Sequence, residues 1–443
     1  MSKFYLIIGL CVLMPFAAWA KGNPSVCKPE IYGGRADGNT INTDAIQKAV
    51  DMCAQYGGGV VLLSKGVWLS GPITLKSNIT FSLGQGTVLK ANNTDDQFKN
   101  AFIDYPVQKG EAFILADHVH DVSIVGQGTI DGDGQQTWWA KAKQINALLH
   151  QGNDQLFKQE YSGVPIANGV PRPWLIEFND VQNVHLKGVL LTNAPMWNVV
   201  IRSSQDVNID TIKIQNPKDS PNTDGIDIVS SQYIQISDVD ISTGDDNISI
   251  KSGLQQGNAL PARDITIKNS LMHDGHGISI GSETANGIGK VTIQNIHFSG
   301  STNGIRIKSQ RDRGNSIGPI TVDHIQMENV TNPIVINASY SVNSYKKRSF
   351  KEALKQKELT SLTPLIHDIL LSDIHVVNAD NSIILSGLPE AFIWNIVLDH
   401  IFMQAKHGLK ARYVQGVMHQ VIIQNQEGDT PFYFGNDTYL KRE

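Results

Sequence analysis

Four short polar motifs between residues 222 and 308 decide the prediction of the fold. They read Asn222-Thr223-Asp224-Gly225, Gly244-Asp245-Asp246, Gly275-His276-Gly277 and Arg306-Ile307-Lys308. Their spacing is close to one repeat of the apolar pattern in which they lie. Since periods of about 20–50 residues are typical of stacked units, we expect the motifs to meet on successive coils.

The apolar pattern is a unit of eight residues with apolar side chains at the first, third, sixth and eighth positions. Between residues 184 and 320 the units begin 23, 27, 31, 26 and 29 residues apart. They are Val184-Leu186-Val189-Leu191, Val207-Ile209-Ile212-Ile214, Ile234-Ile236-Val239-Ile241, a degenerate copy Ile265-Ile267-Ser270-Met272, Val291-Ile293-Ile296-Phe298, Ile320-Val322-Ile325-Met327, Ile369-Leu371-Ile374-Val376 and Ile396-Leu398-Ile401-Met403.

Three short strands and their turns fill a repeat of this length. The pattern therefore predicts an all-β protein, a single-stranded right-handed parallel β-helix with one repeat per coil. Leucine-rich repeats would need a leucine-asparagine consensus that the chain lacks. Propeller blades would need longer units, and a sandwich would not keep so regular a step.

One helix is predicted before the first strands, where it can cover the open end of the solenoid. Asn42-Thr43-Asp44 can cap its N-terminus. The apolar residues that recur on one face are Ala45, Ile46, Ala49, Val50 and Cys53.

Residues 1–20 have the features of a signal peptide, with Lys3, a short apolar run and Ala18-Trp19-Ala20 at the end. We expect residues 21–443 to form one β-helix domain in a secreted or periplasmic protein, with no membrane association after cleavage. In an oxidising compartment, the two cysteines left after cleavage, Cys27 and Cys53, are expected to form a disulfide.

The chain has 443 residues with 37 Lys and Arg against 42 Asp and Glu, a formal net charge of −5. This balance does not indicate a nucleic-acid partner. A polyanionic ligand would need a local basic patch. No zinc-type ligand set is apparent, although Asp245-Asp246 alone could bind calcium.

Two segments interrupt the period, 135–173 and 341–362, and insertions in solenoids usually form loops on one face. The first contains Trp138-Trp139, which we expect to pack within the loop. The second contains Tyr345-Lys346-Lys347-Arg348 and is partly helical in pattern. This basic run is either a solvated surface or a substrate contact.

The motif residues suit cleavage of a glycosidic bond, which needs one carboxylic acid as proton donor and another carboxylate. Asp224, Asp245 and Asp246 supply the acids, and crowding of like charges raises at least one pKa. His276 can tune a neighbouring aspartate, and its flanking glycines would leave room for a sugar. Arg306 and Lys308 share one face of a strand and suit a sugar that carries a carboxylate, such as galacturonate. Each motif alone has an ordinary structural reading, as a turn, a loop or a solvated strand.

The four motifs, extended to Gly275–Ser282 and Thr302–Lys308, resemble those of the polygalacturonases, glycoside hydrolase family 28, and among them the bacterial endopolygalacturonases. Weaker likeness runs from Ala36-Asp37-Gly38 through Asn193–Trp197 to Pro333–Ile336. The resemblance implies a pectin-lyase-like β-helix. It also implies hydrolysis of α-1,4-linked galacturonan with inversion, using water and no cofactor or metal.

The resemblance also assigns roles. It makes Asp245 the general acid and assigns to Asp224 and Asp246 the positioning and activation of the water. His276 supports the protonation of the acid. It places Arg306, Lys308, Tyr340 and Asn222 against the substrate. Where the family often has cysteine after the aspartate pair this chain has Asn247, which suggests a missing disulfide.

The expected partner is an acidic polysaccharide, polygalacturonate or an oligogalacturonide, bound by a monomer. Two other functions remain at this point: a calcium-dependent pectate lyase and a non-catalytic polysaccharide-binding solenoid. The choice between internal and terminal cleavage depends on how the long loops border the cleft.

Overall fold

Alternation of apolar and polar residues along each short strand sends the apolar side chains into the interior of a parallel β-helix. The computed structural model describes residues 25–94, 96–164, 166, 169–257, 259–340, 355–426, 429–435 and 437–443. A typical coil has three strands, such as Ile226–Val229, Gln232–Ser237 and Asp240–Ser242. The predicted all-β parallel β-helix is confirmed. The expected signal peptide, residues 1–20, lies outside the described residues.

The described strands form two sheets. The smaller sheet, which we call the motif sheet, consists of Ile73–Leu75, Ala112–Asp117, Trp174–Asn179, Val199–Arg202, Ile226–Val229, Ile248–Lys251, Ile278–Ile280, Asn303–Lys308, Asn332–Asn337, Ile383–Ser386, Leu409–Arg412 and Phe432–Phe434. The larger sheet consists of Val26–Cys27, Asp37–Ile41, Gly59–Leu63, Gly66–Ser70, Ile79–Leu83, Thr87–Ala91, His120–Gly126, Thr129–Asp131, Gln182–Lys187, Leu190–Thr192, Gln205–Asp210, Lys213–Gln215, Gln232–Ser237, Asp240–Ser242, Ala262–Met272, Ile288–Ser299, Ser316–Ile317, Ile320–Glu328, Leu365–Asn381, Ile393–His407, Val414–Gln424 and Thr438–Arg442.

Columns of isoleucine run through the interior beneath the motif sheet. Each residue pairs with its counterpart on the next coil, and each is buried. One column is Ile226, Ile248, Ile278, Ile305, Ile334 and Ile383. Full burial of one such side chain contributes about 1.5–3 kcal/mol, so these columns hold the coils in register.

The repeat units follow the pairing predicted from their spacing. Val291 pairs with Ile320, and Ile293 with Val322, on consecutive coils. Ser270, in the degenerate copy, is also buried. Its hydroxyl donates to the carbonyl of Lys268 and accepts from the N–H of Val239, which satisfies a polar group in an apolar position.

The predicted N-terminal helix spans Thr43–Gln55, and its buried residues are those expected: Ala45, Ile46, Ala49, Val50 and Cys53. It packs against the first strands, and the structure has a disulfide between Cys27 and Cys53. Asn42 occupies the N-cap position without capping through its side chain. Instead its amide binds the backbone N–H and carbonyl of Arg35, so it fastens the preceding turn.

The first insertion contains helices that the sequence analysis did not predict: Gly134–Thr137, Trp139–His150 and Gln155–Glu160. Ala142, Ile145 and Leu149 form a small separate core at helical spacing, a signal hidden among lysines and glutamines. Trp139 is buried, but its indole N–H donates to the carbonyl of Ala194 at 2.9 Å, outside the insertion.

In the second insertion, residues 341–354 lie outside the described residues, and so does its basic run. Residues 355–362 contain no helix or strand. Among the described residues, we find no helix with the length and apolar character needed to cross a membrane.

Ile293→Ala tests the contribution of the interior columns. Ile293 is fully buried, and we expect the free energy of unfolding to fall by about 2–5 kcal/mol in chemical denaturation because the truncation leaves a cavity. The adjacent exposed residue provides the control, since Gln294→Ala should change stability by less than about 0.5 kcal/mol. Equal effects of the two substitutions would contradict the inward and outward assignment.

Candidate active site

The four motifs lie at or just before successive strands of the motif sheet. These strands are Ile226–Val229, Ile248–Lys251, Ile278–Ile280 and Asn303–Lys308, and each pairs in parallel with the next. The structure therefore brings the motif side chains into one groove instead of distributing them around the solenoid.

Asp245 and His276 form a hydrogen-bonded pair across two coils. The His276 Nδ1 lies 2.9 Å from Asp245 Oδ1, and the His276 backbone N–H donates to the Asp245 carbonyl. Burial and the two aspartates act in opposite directions on the imidazole. Burial lowers the pKa of His276, but Asp245 and Asp246 outweigh it, so the pKa lies above its ordinary value. The pKa of Asp245 is raised by burial and lowered more by His276, and its net direction is down.

Asp246 is held by both fixed cations. Lys308 Nζ donates to Oδ2 at 2.8 Å, Arg306 donates to Oδ1, and the Ser279 hydroxyl also donates to Oδ1 at 2.9 Å. Arg306 is aligned further by a bond from its Nε to the Ser279 hydroxyl at 3.0 Å. Burial raises the pKa of Asp246, but Arg306, Lys308 and His276 outweigh it and hold this pKa far below its ordinary value. Asp246 is therefore a carboxylate at every ordinary pH.

Asp224 is the protonatable acid of the groove. It is buried, with 6% of its side chain exposed, and its nearest ion-pair partner is Lys251 Nζ at 3.7 Å from Oδ2. Burial, followed by Asp245 and Asp227, raises the pKa of Asp224 well above its ordinary value, while Lys251 opposes this. Three aspartates with the same intrinsic acidity thus have different pKa values here because their surroundings differ.

Asn222 and Tyr340 border this cluster. The Asn222 amide Nδ2 lies 3.4 Å from Asp245 Oδ2, and the Tyr340 ring centroid lies 5.7 Å from Lys308 Nζ. Both residues are partly exposed, so a bound ligand could reach them.

The glycines beside His276 have a different role from the one expected. A Cβ on Gly275 would lie 2.6 Å from Thr243 Oγ1, and one on Gly277 would lie 2.2 Å from the carbonyl oxygen of Asn303. Both residues also have positive φ angles. The expectation that they leave room for a sugar is wrong, because the space is filled by the neighbouring coils.

Asn247, which stands where the family often has cysteine, forms hydrogen bonds that connect two loops. Its Nδ2 donates to the Asp274 carbonyl at 2.9 Å, and its Oδ1 accepts from the Gly277 N–H at 2.8 Å. It is fully buried. These bonds tie the loop that carries His276 to the loop that carries Asp245.

Sequence reasoning missed three polar residues of this groove: Asp227, Lys251 and Ser279. A signal was available, since each stands at an alternate position of an otherwise apolar strand, as in Ile226-Asp227-Ile228 and Ile278-Ser279-Ile280. A polar residue at such a position faces outward on a buried sheet and needs a partner there.

Asp245, Asp246 and His276 also bring one potential metal-ligand atom each within 4.8 Å of one another. Both oxygens of Asp246 already bind Arg306 or Lys308, and these positive charges disfavour a second cation. The donor set suits proton transfer better than metal binding.

Comparison with known proteins agrees with this geometry. The family model described as glycosyl hydrolases family 28 matches residues 53–362. An endo-polygalacturonase of Pectobacterium parmentieri is 34% identical over 354 residues, which are 76% of this chain and 82% of that protein. An endo-polygalacturonase of Pectobacterium carotovorum subsp. carotovorum is 33% identical over 81% of this chain and 88% of that protein.

Solved structures agree as well. The polygalacturonase from Erwinia carotovora ssp. carotovora has a TM-score of 0.66 at 28% identity, covering 95% of this chain and 97% of that one. The family 28 exopolygalacturonase of Yersinia enterocolitica has a TM-score of 0.78 at 22% identity, covering 95% and 78%, and shows the same fold. With the family model matching well over half of its length, the chain belongs to glycosyl hydrolase family 28.

Proposed function

We propose that the protein is a polygalacturonase, which hydrolyses the α-1,4-glycosidic bonds of polygalacturonate with water. The family, the relatives named as endo-polygalacturonases and the chemistry of the groove all support this proposal. The expectation of an acidic polysaccharide substrate follows from the same relatives and from the local charge of the groove.

The observation that carries the proposal is the balance of charge around Asp246. Two cations, Arg306 and Lys308, contact a single ionised carboxylate. One positive charge is therefore left over, together with guanidinium and ammonium donors that Asp246 cannot use. A galacturonate carboxylate supplies the matching negative charge, and a neutral sugar would not.

The proton donor in this proposal is Asp245, acting as a pair with His276. The pair titrates as a unit, and the raised pKa of His276 means that the unit keeps one proton near neutral pH. Asp245 delivers this proton to the glycosidic oxygen as the bond to the anomeric carbon breaks. The pair has then lost its single proton and is reprotonated from solvent, while Asp224 releases to solvent the proton that it took from water.

The base is Asp224. Its raised pKa makes it a better proton acceptor than Asp246, whose pKa is strongly lowered. Asp224 takes a proton from water while the water oxygen bonds to the anomeric carbon. Asp246 orients the cations, and through them the sugar, and contributes less to proton transfer than the resemblance implied.

We further propose that residues 21–443 act as one domain, as a monomer, outside the cytoplasm. The signal-like N-terminus and the disulfide between Cys27 and Cys53 support export. The relatives are bacterial and plant polygalacturonases, whose named substrate class supports the same location.

A calcium-dependent lyase and a binding solenoid are less compatible with this groove. The Asp245–His276 pair and the cations on Asp246 have no role in a calcium site, and a binding protein has no need for a protonated acid cluster. Incubation of polygalacturonate with the protein, once with calcium and once with a chelator, separates the three functions. A hydrolase releases reducing ends in both incubations. A lyase yields unsaturated products with calcium and is inactivated by the chelator. A binding protein yields no product in either.

The same incubation distinguishes internal from terminal cleavage. Chromatography of the first products from a long substrate should show a range of oligogalacturonides for internal cleavage. Terminal cleavage should give one small product from the start.

Asp245→Asn should lower the rate of reducing-end release by about 10²–10⁴-fold, because the amide cannot donate the required proton. The control is Asp399→Asn, since Asp399 also forms a pair with a histidine, His400, but on the other sheet. It should leave the rate unchanged. An unaltered rate in Asp245→Asn would remove Asp245 from the role of acid.

His276→Gln should move the alkaline limb of the rate profile to lower pH. The native pair retains its proton until the pH passes the raised pKa of His276, so activity is lost as pH rises through that value. Without the imidazole, Asp245 holds a proton only below its own pKa. The measurement is kcat/KM against pH, with His400→Gln as control. An alkaline limb that stays in place would contradict the role of the pair.

The configuration of the first product tests the inverting mechanism. If water activated by Asp224 attacks opposite the leaving group, hydrolysis of an α-linkage releases the β-anomer first. Proton NMR of the anomeric signal in the first minutes measures this. Initial release of the α-anomer would indicate a covalent intermediate.

A further inference from the structure

Lys251 is a buried cation next to the proposed base. Only 6% of its side chain is exposed, and its Nζ lies 2.7 Å from Asp227 Oδ1 and 3.7 Å from Asp224 Oδ2. The third neighbour is the indole of Trp197, whose ring centroid is 3.7 Å from Nζ. The ammonium is therefore fixed on three sides, two of them carboxylates.

The fold determines this position. Lys251 ends the strand Ile248–Lys251, and it stands at the same point of its strand as Lys308 does, because Ile250 pairs with Ile280 and Ile280 with Ile307. Each lysine thus faces buried aspartates of the groove. Lys308 faces Asp246, and Lys251 faces Asp227 and Asp224. Stacking of Trp197 on Trp174, with centroids 5.3 Å apart, keeps the aromatic side of the Lys251 site rigid.

Among the described residues, the charged groups that face Asp224 are mainly negative. Asp245, Asp227 and Asp246 all disfavour its ionised form, and Lys251 favours it. A second cation, Arg172, is near enough to interact with Asp224, but its guanidinium donates to the carbonyls of Val170, Pro195 and Pro221. Of the described cations, Lys251 is the one within ion-pair distance of Asp224.

We propose that Lys251 is a positioning residue for the hydrolysis, the buried counter-charge that allows Asp224 to be a carboxylate when water attacks. The proposal rests on the function proposed above, because it assigns Lys251 a part in preparing the base of that reaction. Lys251 touches neither substrate nor water, and it acts through Asp224. The chemical step itself is unchanged: the proton passes from water to Asp224, and no group on Lys251 is transferred.

Asp227 has a supporting role in this arrangement. Burial raises the pKa of Asp227 to about 7, against the opposing effect of Lys251. As pH falls below this value Asp227 takes up a proton, and the positive charge of Lys251 then acts on Glu283 and Asp224. Lys251 itself stays charged, because the aspartates and Glu283 outweigh the effect of burial and place its pKa above its ordinary value.

Lys251→Met tests the proposal with a readout that does not need activity. Carbon-13 NMR of protein labelled at aspartate carboxyls follows the titration of Asp224, whose signal is identified by its loss in Asp224→Asn. We expect the Asp224 midpoint to rise by about one to three pH units in Lys251→Met, the effect of losing an opposite charge at this distance. A midpoint that stays in place would overturn the proposal.

The pH profile of kcat/KM gives the second readout. A base must be ionised, so activity is lost as pH falls through the pKa of Asp224, and in Lys251→Met this acidic limb should move to higher pH by the same amount as the NMR midpoint. Asp227→Asn is the matched control, since it removes the other half of the ion pair and keeps the cation. It should not move the limb upward. An equal upward movement in both variants would show that the packing of the pair, and not the charge of Lys251, matters, and would overturn the proposal.

Loss of Lys251 leaves Asp227 buried and unpaired, which can prevent folding. The double variant Lys251→Met with Asp227→Asn avoids this, and its Asp224 midpoint should lie above that of Asp227→Asn alone, because these two variants differ only in the cation. Equal midpoints in the two variants would count against the proposal. A native protein that releases no reducing ends, together with a raised midpoint in Lys251→Met, would refute the proposed function and with it the role of Lys251 in hydrolysis, and would leave only Lys251 as the counter-charge of Asp224.

Discussion

The coil-to-coil stacking of isoleucine side chains is the interaction on which the active groove depends. Ile226, Ile248 and Ile278 lie one above another in the interior, so the residues beside them in sequence face outward in register. Asp227, Ser249, Ser279 and Arg306 accordingly form one outward column. A slip of one residue in any coil would exchange the inward and outward sets, which makes this register costly to change.

The second constraint is electrostatic, and it follows from the first. The register places four acids side by side, of which Asp224, Asp227 and Asp246 are buried, and burial of unpaired carboxylates is expensive. Each acid lies near a cation: Asp246 near Arg306 and Lys308, Asp227 and Asp224 near Lys251, and Asp245 near the imidazole of His276. The pairing is unequal, and this inequality separates an ionised anchor from an acid that can gain and lose a proton.

The sequence predicted the fold because the inward positions follow a strict pattern over many coils. It also predicted that Asp224, Asp245, Asp246 and His276 would meet, since spacing of about one coil places residues on neighbouring strands. The sequence did not predict the roles of residues that are determined by contacts between coils. The glycines around His276 accommodate protein instead of a ligand, and Asn247 fastens two loops that no local pattern connects. The helices of the first insertion were missed because their small core is formed by residues that also suit a loop.

By itself, then, the sequence determined the period of the coil, the order of the polar motifs and membership of a family, because these properties depend only on residue types and their spacing. The tertiary structure decided the protonation of each carboxylate. Desolvation and the attraction between charges depend on separations of a few ångströms across neighbouring coils, as between Lys251 and Asp224 or between His276 and Asp245. Two aspartates adjacent in the chain, Asp245 and Asp246, therefore have different partners. The family resemblance suggested separate roles for them, but the spacing of residues in the chain does not specify which cation each one contacts.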